Sequence, residues 1–209
     1  VLAEVVEGNT ARLGLGGSSP VAINGCWQCH GSVVKIGKDG RPTPDTWPNT
    51  GIGRINPDGS KGSCTACHSR HTFSPVVARQ PDSCGKCHMG PDHPQKEIYE
   101  ASKHGIAFKA FKEYMKLDMQ PWRVGIEYTA APTCATCHMS GLEGMKVTHD
   151  TTERLSLLLY APVTNKRLNF QNGRDQMKEV CLKCHTKGKI DYFYEQGDLI
   201  VEQTNKTII

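Results

Sequence analysis

All ten cysteines of the chain fall into one repeated pattern, Cys-x-x-Cys-His. It occurs at Cys26/Cys29/His30, Cys64/Cys67/His68, Cys84/Cys87/His88, Cys134/Cys137/His138 and Cys181/Cys184/His185. Two thiols at this spacing can add across the two vinyl groups of one haem, and the histidine that follows reaches the iron from the proximal side. A Cys-x-x-Cys pair alone also suits a redox disulfide, half a zinc site or a disulfide framework. None of those requires a histidine at the next position every time. The pattern therefore predicts five covalently bound haem c groups. Thioether attachment is made outside the cytoplasm, so it also predicts a periplasmic or other extracytoplasmic location.

Iron needs a ligand on each face to be closed. Of nine histidines, five are proximal, leaving His71, His93, His104 and His149 for five distal positions. At least one iron lacks a second histidine. Methionine is an alternative axial ligand. Met89 and Met139 directly follow proximal histidines and stand on the wrong side of their own haems. Met115, Met119, Met145 and Met177 remain, although methionine is more often core filler. An iron closed on both faces conducts electrons, whereas an open one binds substrate. Two readings follow: an oxidoreductase with one open haem, or an electron-transfer cytochrome, a wire or hub, with none.

The elements that must hold these groups are mostly loops and helices. Asp39-Gly40, Pro42, Pro44, Pro48 and Asn56-Pro57-Asp58-Gly59 make residues 31–63 loop-like. Pro94 suits the first turn of a helix. Ala107, Phe108, Phe111, Tyr114 and Met115 follow at helical spacing, with His104 one turn back on the same stripe. Residues 174–187 read as helical around the last motif, and residues 189–204 continue with Ile190, Phe193, Tyr194, Ile200 and Val201 on one side. No strand pattern stands out. The motifs start 38, 20, 50 and 47 residues apart, too unevenly for a tandem repeat. Only 37% of residues are hydrophobic and the mean hydropathy is −0.47. That is too little for a large aliphatic core, and porphyrin faces are the apolar surfaces that would replace it. The expected class is mainly α with extensive loops, a multihaem cytochrome c fold with a haem-packed core. Residues 1–25 form an N-terminal segment, 26–188 a five-haem domain, and 189–209 the start of a C-terminal helical region.

A net charge of +4 is too mild to imply nucleic acid or an anionic membrane as partner. No run of 18 apolar residues is present. Val1 opens without the charged start and apolar stretch of a signal peptide.

Several stretches carry a resemblance. Cys64–Ser74 reads CTACHSRHTFS, Cys84–Gly105 reads CGKCHMGPDHPQKEIYEASKHG, Ala131–Met139 reads APTCATCHM and Val147–Arg154 reads VTHDTTER. In order and spacing they resemble the last five haem motifs of the octahaem hydroxylamine oxidoreductase family, from about residue 24 to about residue 190. A more distant likeness is to pentahaem cytochrome c nitrite reductase. There the first motif normally ends in lysine, and here it ends in His30.

The resemblance implies roles. The haem of Cys26, Cys29 and His30 would be the catalytic one, open on its distal side. Asp92, His93 and Tyr160 would line its pocket. His104 would be distal to the haem of Cys181 and Cys184, and His149 to that of Cys64 and Cys67. His71 would be a ligand to a haem that the resemblance does not assign. Asp92-His93-Pro94 taken on its own reads as a turn capping the next helix. With His93 catalytic, three histidines remain for four closed haems. The relatives draw one distal histidine from upstream of the first motif and another from beyond the last. This predicts a longer octahaem polypeptide, with three more haems upstream; the alternative is a short pentahaem protein completed by a partner chain. The implied substrate is hydroxylamine, nitrite or hydrazine. The implied partners are a redox protein, either a small cytochrome or a quinone-linked system, and further copies of the chain, since relatives form trimers. Oxidising relatives crosslink a tyrosine to the catalytic haem from further downstream than Ile209, so the direction of reaction stays open.

Overall fold

The computed structural model describes residues 25–91, 93–159 and 163–208. The helices are α1 (Trp27–Cys29), α2 (Pro75–Ala78), α3 (Pro81–Gly85), α4 (Gln95–Ala101), α5 (Lys103–Phe111), α6 (Cys134–His138), α7 (Phe170–Cys181) and α8 (Lys187–Ile208). Short 3₁₀ turns cover Cys64–Ala66 and Lys112–Met115. The architecture is mainly α with long loops, as the sequence predicts. One strand pair departs from that prediction. β1 (Leu157–Leu159) runs antiparallel to β2 (Thr164–Lys166), pairing Leu157 with Lys166 and Leu159 with Thr164. Three residues per strand are too few for alternation to register as a pattern.

Polypeptide contacts gather the chain into two compact units, Val1–Ala78 with Asp82–Pro94, and Arg79–Pro81 with Gln95–Ile209. The division cuts across the stretch 26–188 that the sequence groups together. The first three motifs belong to the first unit and the last two to the second.

In the first unit the loop 31–63 wraps the first motif through main-chain bonds. Gly51 N–H donates to Trp27 O, Ile52 N–H to Cys29 O, and Val34 N–H to Ile55 O at 2.9 Å. The chains cross so closely that a Cβ on Gly51 would lie 2.1 Å from Gly31 N, and one on Gly31, at φ +74°, 2.2 Å from Arg54 N. Only glycine fits both positions. Polar side chains do much of the stitching. Buried Asn49 accepts from Ser32 N–H and donates to Thr46 O, while Arg54 donates to Asn49 O and lies 4.7 Å over Trp47.

In the second unit α4 and α5 meet at a tight elbow. Ser102 caps α5, its Oγ accepting from Gly105 N–H at 3.2 Å and donating to Tyr99 O at 2.6 Å. A Cβ on Gly105 would sit 2.1 Å from Tyr99 O, so the residue after His104 must be glycine. Trp122 and Tyr128 stack at 4.4 Å between ring centres. Trp122 donates to Met115 O, and Tyr128 OH lies 2.7 Å from Thr136 Oγ1 inside α6. Thr133 and Thr136 close a reciprocal cap at the start of α6. At the far end, Arg174 of α7 makes two hydrogen bonds to Asp198 of α8, at 2.6 and 2.7 Å.

The helix expected over 174–187 is interrupted. α7 ends at Cys181 and α8 starts at Lys187, because the last motif makes its own turn between them. Tighter bonds, Lys183 N–H to Val180 O and Cys184 N–H to Cys181 O, draw the chain out of the α-helical course there. No helix among the described residues is long and apolar enough to cross a membrane.

Candidate functional site

Four motifs adopt the same local shape, one turn in which the histidine N–H reaches back to the carbonyl of the first cysteine. The distances are 2.8 Å for His30–Cys26, 2.9 Å for His68–Cys64, 3.0 Å for His88–Cys84 and 2.9 Å for His185–Cys181. The fifth motif, Cys134–His138, is α6 itself. Each turn brings two thiols and an imidazole together at one place on the chain. None of the ten cysteines is joined in a disulfide. Among the described residues no group of three or more His, Cys, Asp or Glu could hold a metal ion, so the zinc reading finds no site there.

The motifs are also clustered. In the first unit the Cys29 thiol hydrogen-bonds that of Cys87, which burial and this neighbour push up to about 11; the charge of Cys67 acts on Cys87 as well. Second cysteines of three different motifs thus share one neighbourhood. In the second unit burial and then the nearby Cys181 push Cys137 up to about 12. Thioether attachment requires the cysteines in reduced form.

The imidazoles divide into groups. His68 Nδ1 lies 3.1 Å from Phe73 O. When Nδ1 donates there, Nε2 is the nitrogen left to bind a metal. Phe73 holds this position at φ +44°, in a loop where His71 is also strained, at φ +70°. His71 is exposed. His104 and His185 face each other with ring centroids 6.0 Å apart. Two imidazoles on opposite faces of one iron, each at a metal–nitrogen distance of about 2.0 Å, have centroids about 6 Å apart once the ring radii are added. His88 and His93 stand 6.4 Å apart, edge to face. His30 is held below the ordinary histidine value by burial, then by the charges of His93 and His88, so these three imidazoles lie in one neighbourhood. His149 is exposed, in a turn where Thr148 Oγ1 donates to Glu153 at 2.6 Å. Asp92 and Tyr160 lie outside the described residues.

The residues present therefore fit haem c. Every motif supplies paired thiols and a histidine on one turn, and two histidine pairs, His104–His185 and His88–His93, have ring spacings near that of two imidazoles on one iron. The comparison with known families agrees: residues 56–205 match the family described as seven times multi-haem cytochrome CxxCH. The chain belongs to the multihaem cytochrome CxxCH family. A multihaem cytochrome of this kind carries haem c covalently. It is 30% identical to a probable nitrite reductase-hydroxylamine oxidoreductase fusion protein of Kuenenia stuttgartiensis, over 80% of this chain and 25% of that protein. The chain thus spans about a quarter of the length of this curated relative. Among solved structures, a hypothetical multihaem protein superposes with a TM-score of 0.78 at 29% identity, covering 91% of this chain and 53% of the other. The reducing HAO-like protein complex of Kuenenia stuttgartiensis superposes with a TM-score of 0.54 at 29% identity, covering 69% and 33%.

Sequence reasoning gave no role to Arg154, Tyr128 or Thr136, which pack behind the fourth motif of this cytochrome. Arg154 is 1% exposed and Thr136 0%. The only sequence signal for Arg154 is its place in the VTHDTTER stretch.

Proposed function

We propose that this multihaem cytochrome is an extracytoplasmic oxidoreductase with five haems. It acts on a small nitrogen compound, hydroxylamine, nitrite or hydrazine, at the haem of Cys26, Cys29 and His30, while the other haems relay electrons. The observation that carries this reading is the gathering of His30, His88 and His93 in one neighbourhood of the first unit. It is supported by the similarity to a protein named as a nitrite reductase-hydroxylamine oxidoreductase fusion. The haem iron supplies a Lewis acid and an electron port. The chain's own part is to position and to move protons. Burial, then the charges of His93 and His88, disfavour the protonated form of His30. His93 is exposed and serves as proton donor or acceptor to the bound substrate. Asp92 and Tyr160 are assigned to the same pocket by the resemblance alone, Asp92 to orient His93 or hold its charge and Tyr160 to meet a substrate oxygen. His104 and His185, with rings 6.0 Å apart, would together hold a relay haem.

A second reading has its own support. The 6.4 Å spacing of His88 and His93 is also that of an axial pair. His93 would then close the haem of Cys84 and Cys87, and the protein would only conduct. His93→Ala separates the two. The catalytic reading expects the native protein to bind carbon monoxide at one ferrous haem, and the variant to lose turnover by about 10²–10⁴-fold with its haem content unchanged. The conducting reading expects no carbon monoxide binding in the native protein and a new carbon monoxide site in the variant. That second result would end the catalytic proposal.

A further inference from the structure

Arg154 closes the turn behind the fourth motif and is 1% exposed. Its Nη1 donates to Cys137 O at 3.1 Å, and its Nη2 to Ser140 O at 2.7 Å and Lys146 O at 3.4 Å. The first two carbonyls stand on either side of His138. Among the described residues no carboxylate hydrogen-bonds this guanidinium; the charge of the adjacent Glu153 acts on it from a distance, while that carboxylate accepts from Thr148 Oγ1. Its Nε is buried without an acceptor. Arg174, 8% exposed, shares the orphaned Nε but differs in charge balance, because two bonds to Asp198 meet its guanidinium.

A buried cation with only carbonyl partners is costly, and an orphaned buried donor adds about 1–3 kcal/mol. Carbonyl dipoles offset part of that and leave the net charge in place. Such an arrangement is accounted for when a group outside the polypeptide shares the site and carries negative charge. The haem on Cys134 and Cys137 is such a group: it bears two carboxylates and gains one electron on reduction.

We propose that Arg154 is a positioning residue for the haem of Cys134 and Cys137, a fixed buried cation held on the carbonyls of the motif that raises the reduction potential of that haem. The inference rests on haem attachment at the fourth motif and is independent of catalysis at His30. Ferric iron takes one electron from a neighbouring haem and becomes ferrous. The guanidinium keeps its proton throughout, so no proton accompanies the electron. A nearby positive charge stabilises the reduced form, and more strongly where water is excluded.

The test uses the full-length, haem-loaded protein, with spectroelectrochemical titration of native, Arg154→Gln and Arg154→Lys forms. Peptide mass first checks the haem on residues 134–138. An unmodified native peptide would overturn the haem assignment itself, and this inference with it. The expected result for Arg154→Gln is one component whose reduction equilibrium constant falls at least tenfold, 59 mV for a one-electron couple, while the others hold. Arg154→Lys should keep that component near its native potential at neutral pH. It should also acquire an alkaline pH dependence that the native protein lacks, as the buried ammonium loses its proton. Unchanged potentials in a haem-loaded Gln variant would overturn the proposal. So would a Lys variant whose component falls as far as the Gln variant's and ignores pH; that result would leave a purely structural clamp. If the Gln variant does not load haem, the presence or absence of the pH dependence in the Lys variant decides.

Discussion

At the residue scale, the axial reading of His104 rests on two independent constraints. The ring of His185 stands 6.0 Å from it, and Gly105 is the only residue type that lets α5 start so close to Tyr99. His104→Ala should therefore open one haem. The expected outcome is a high-spin ferric component and one additional carbon monoxide-binding haem, with attachment at Cys181 and Cys184 intact. An unchanged low-spin spectrum would remove His104 from the iron. The sequence pointed to His104 for the last haem only through the resemblance of its Lys-His-Gly stretch, and the structure brings its ring near His185. Arg154 was not legible. Arginine is ordinarily a surface residue, and its burial here comes from carbonyls 8 to 17 positions away in sequence. Nothing local to the side chain announces such a site.

At the element scale, α5 was readable from its apolar stripe, since a helix repeats its face every three to four residues. The junction at the last motif was not, because helical spacing on both sides masks a break lasting only a few residues. Here α7 and α8 are joined by the ion pair Arg174–Asp198, with Lys178–Asp191 nearer the turn. The hydrogen bonds from Arg174 hold the Asp198 carboxyl below the usual carboxylate range. A depressed folded-state value contributes stability above the unfolded pKa and loses it as pH falls through the folded value. Asp198 is 39% exposed, so solvent screening limits the contribution to about 0.5–1 kcal/mol. Asp198→Asn should lower Tm by a few degrees at pH 7, and the difference should shrink at acid pH as the native carboxyl becomes protonated. Thermal denaturation at neutral and acid pH checks this. An equal loss at both would assign the effect to shape and not to charge.

At the scale of the whole molecule, the fold class was legible because the composition leaves too little aliphatic material to close an interior. The details follow the same logic. The two units place their motif cysteines in shared neighbourhoods, Cys29 with Cys87 in one and Cys137 with Cys181 in the other. Meanwhile Trp47, Phe73, Met89, Ile106, Phe111 and Leu182 are exposed on the polypeptide alone. Fully covering a side chain of this size contributes about 1.5–3 kcal/mol. A domain's total stability is only about 5–15 kcal/mol, so losing the cover from a handful of such positions exceeds it. The chain made without haem, by expression in cells lacking the attachment machinery, should therefore fail to hold its tertiary structure. It should keep part of its helical circular dichroism, lose the near-ultraviolet signal and bind a hydrophobic dye. The haem-loaded protein should unfold cooperatively with no dye bound at neutral pH. If the haem-free chain instead melts in one sharp transition near the Tm of the loaded form, side chains alone close the interior. The porphyrins would then be cargo on a self-sufficient scaffold, and the low mean hydropathy would need another explanation.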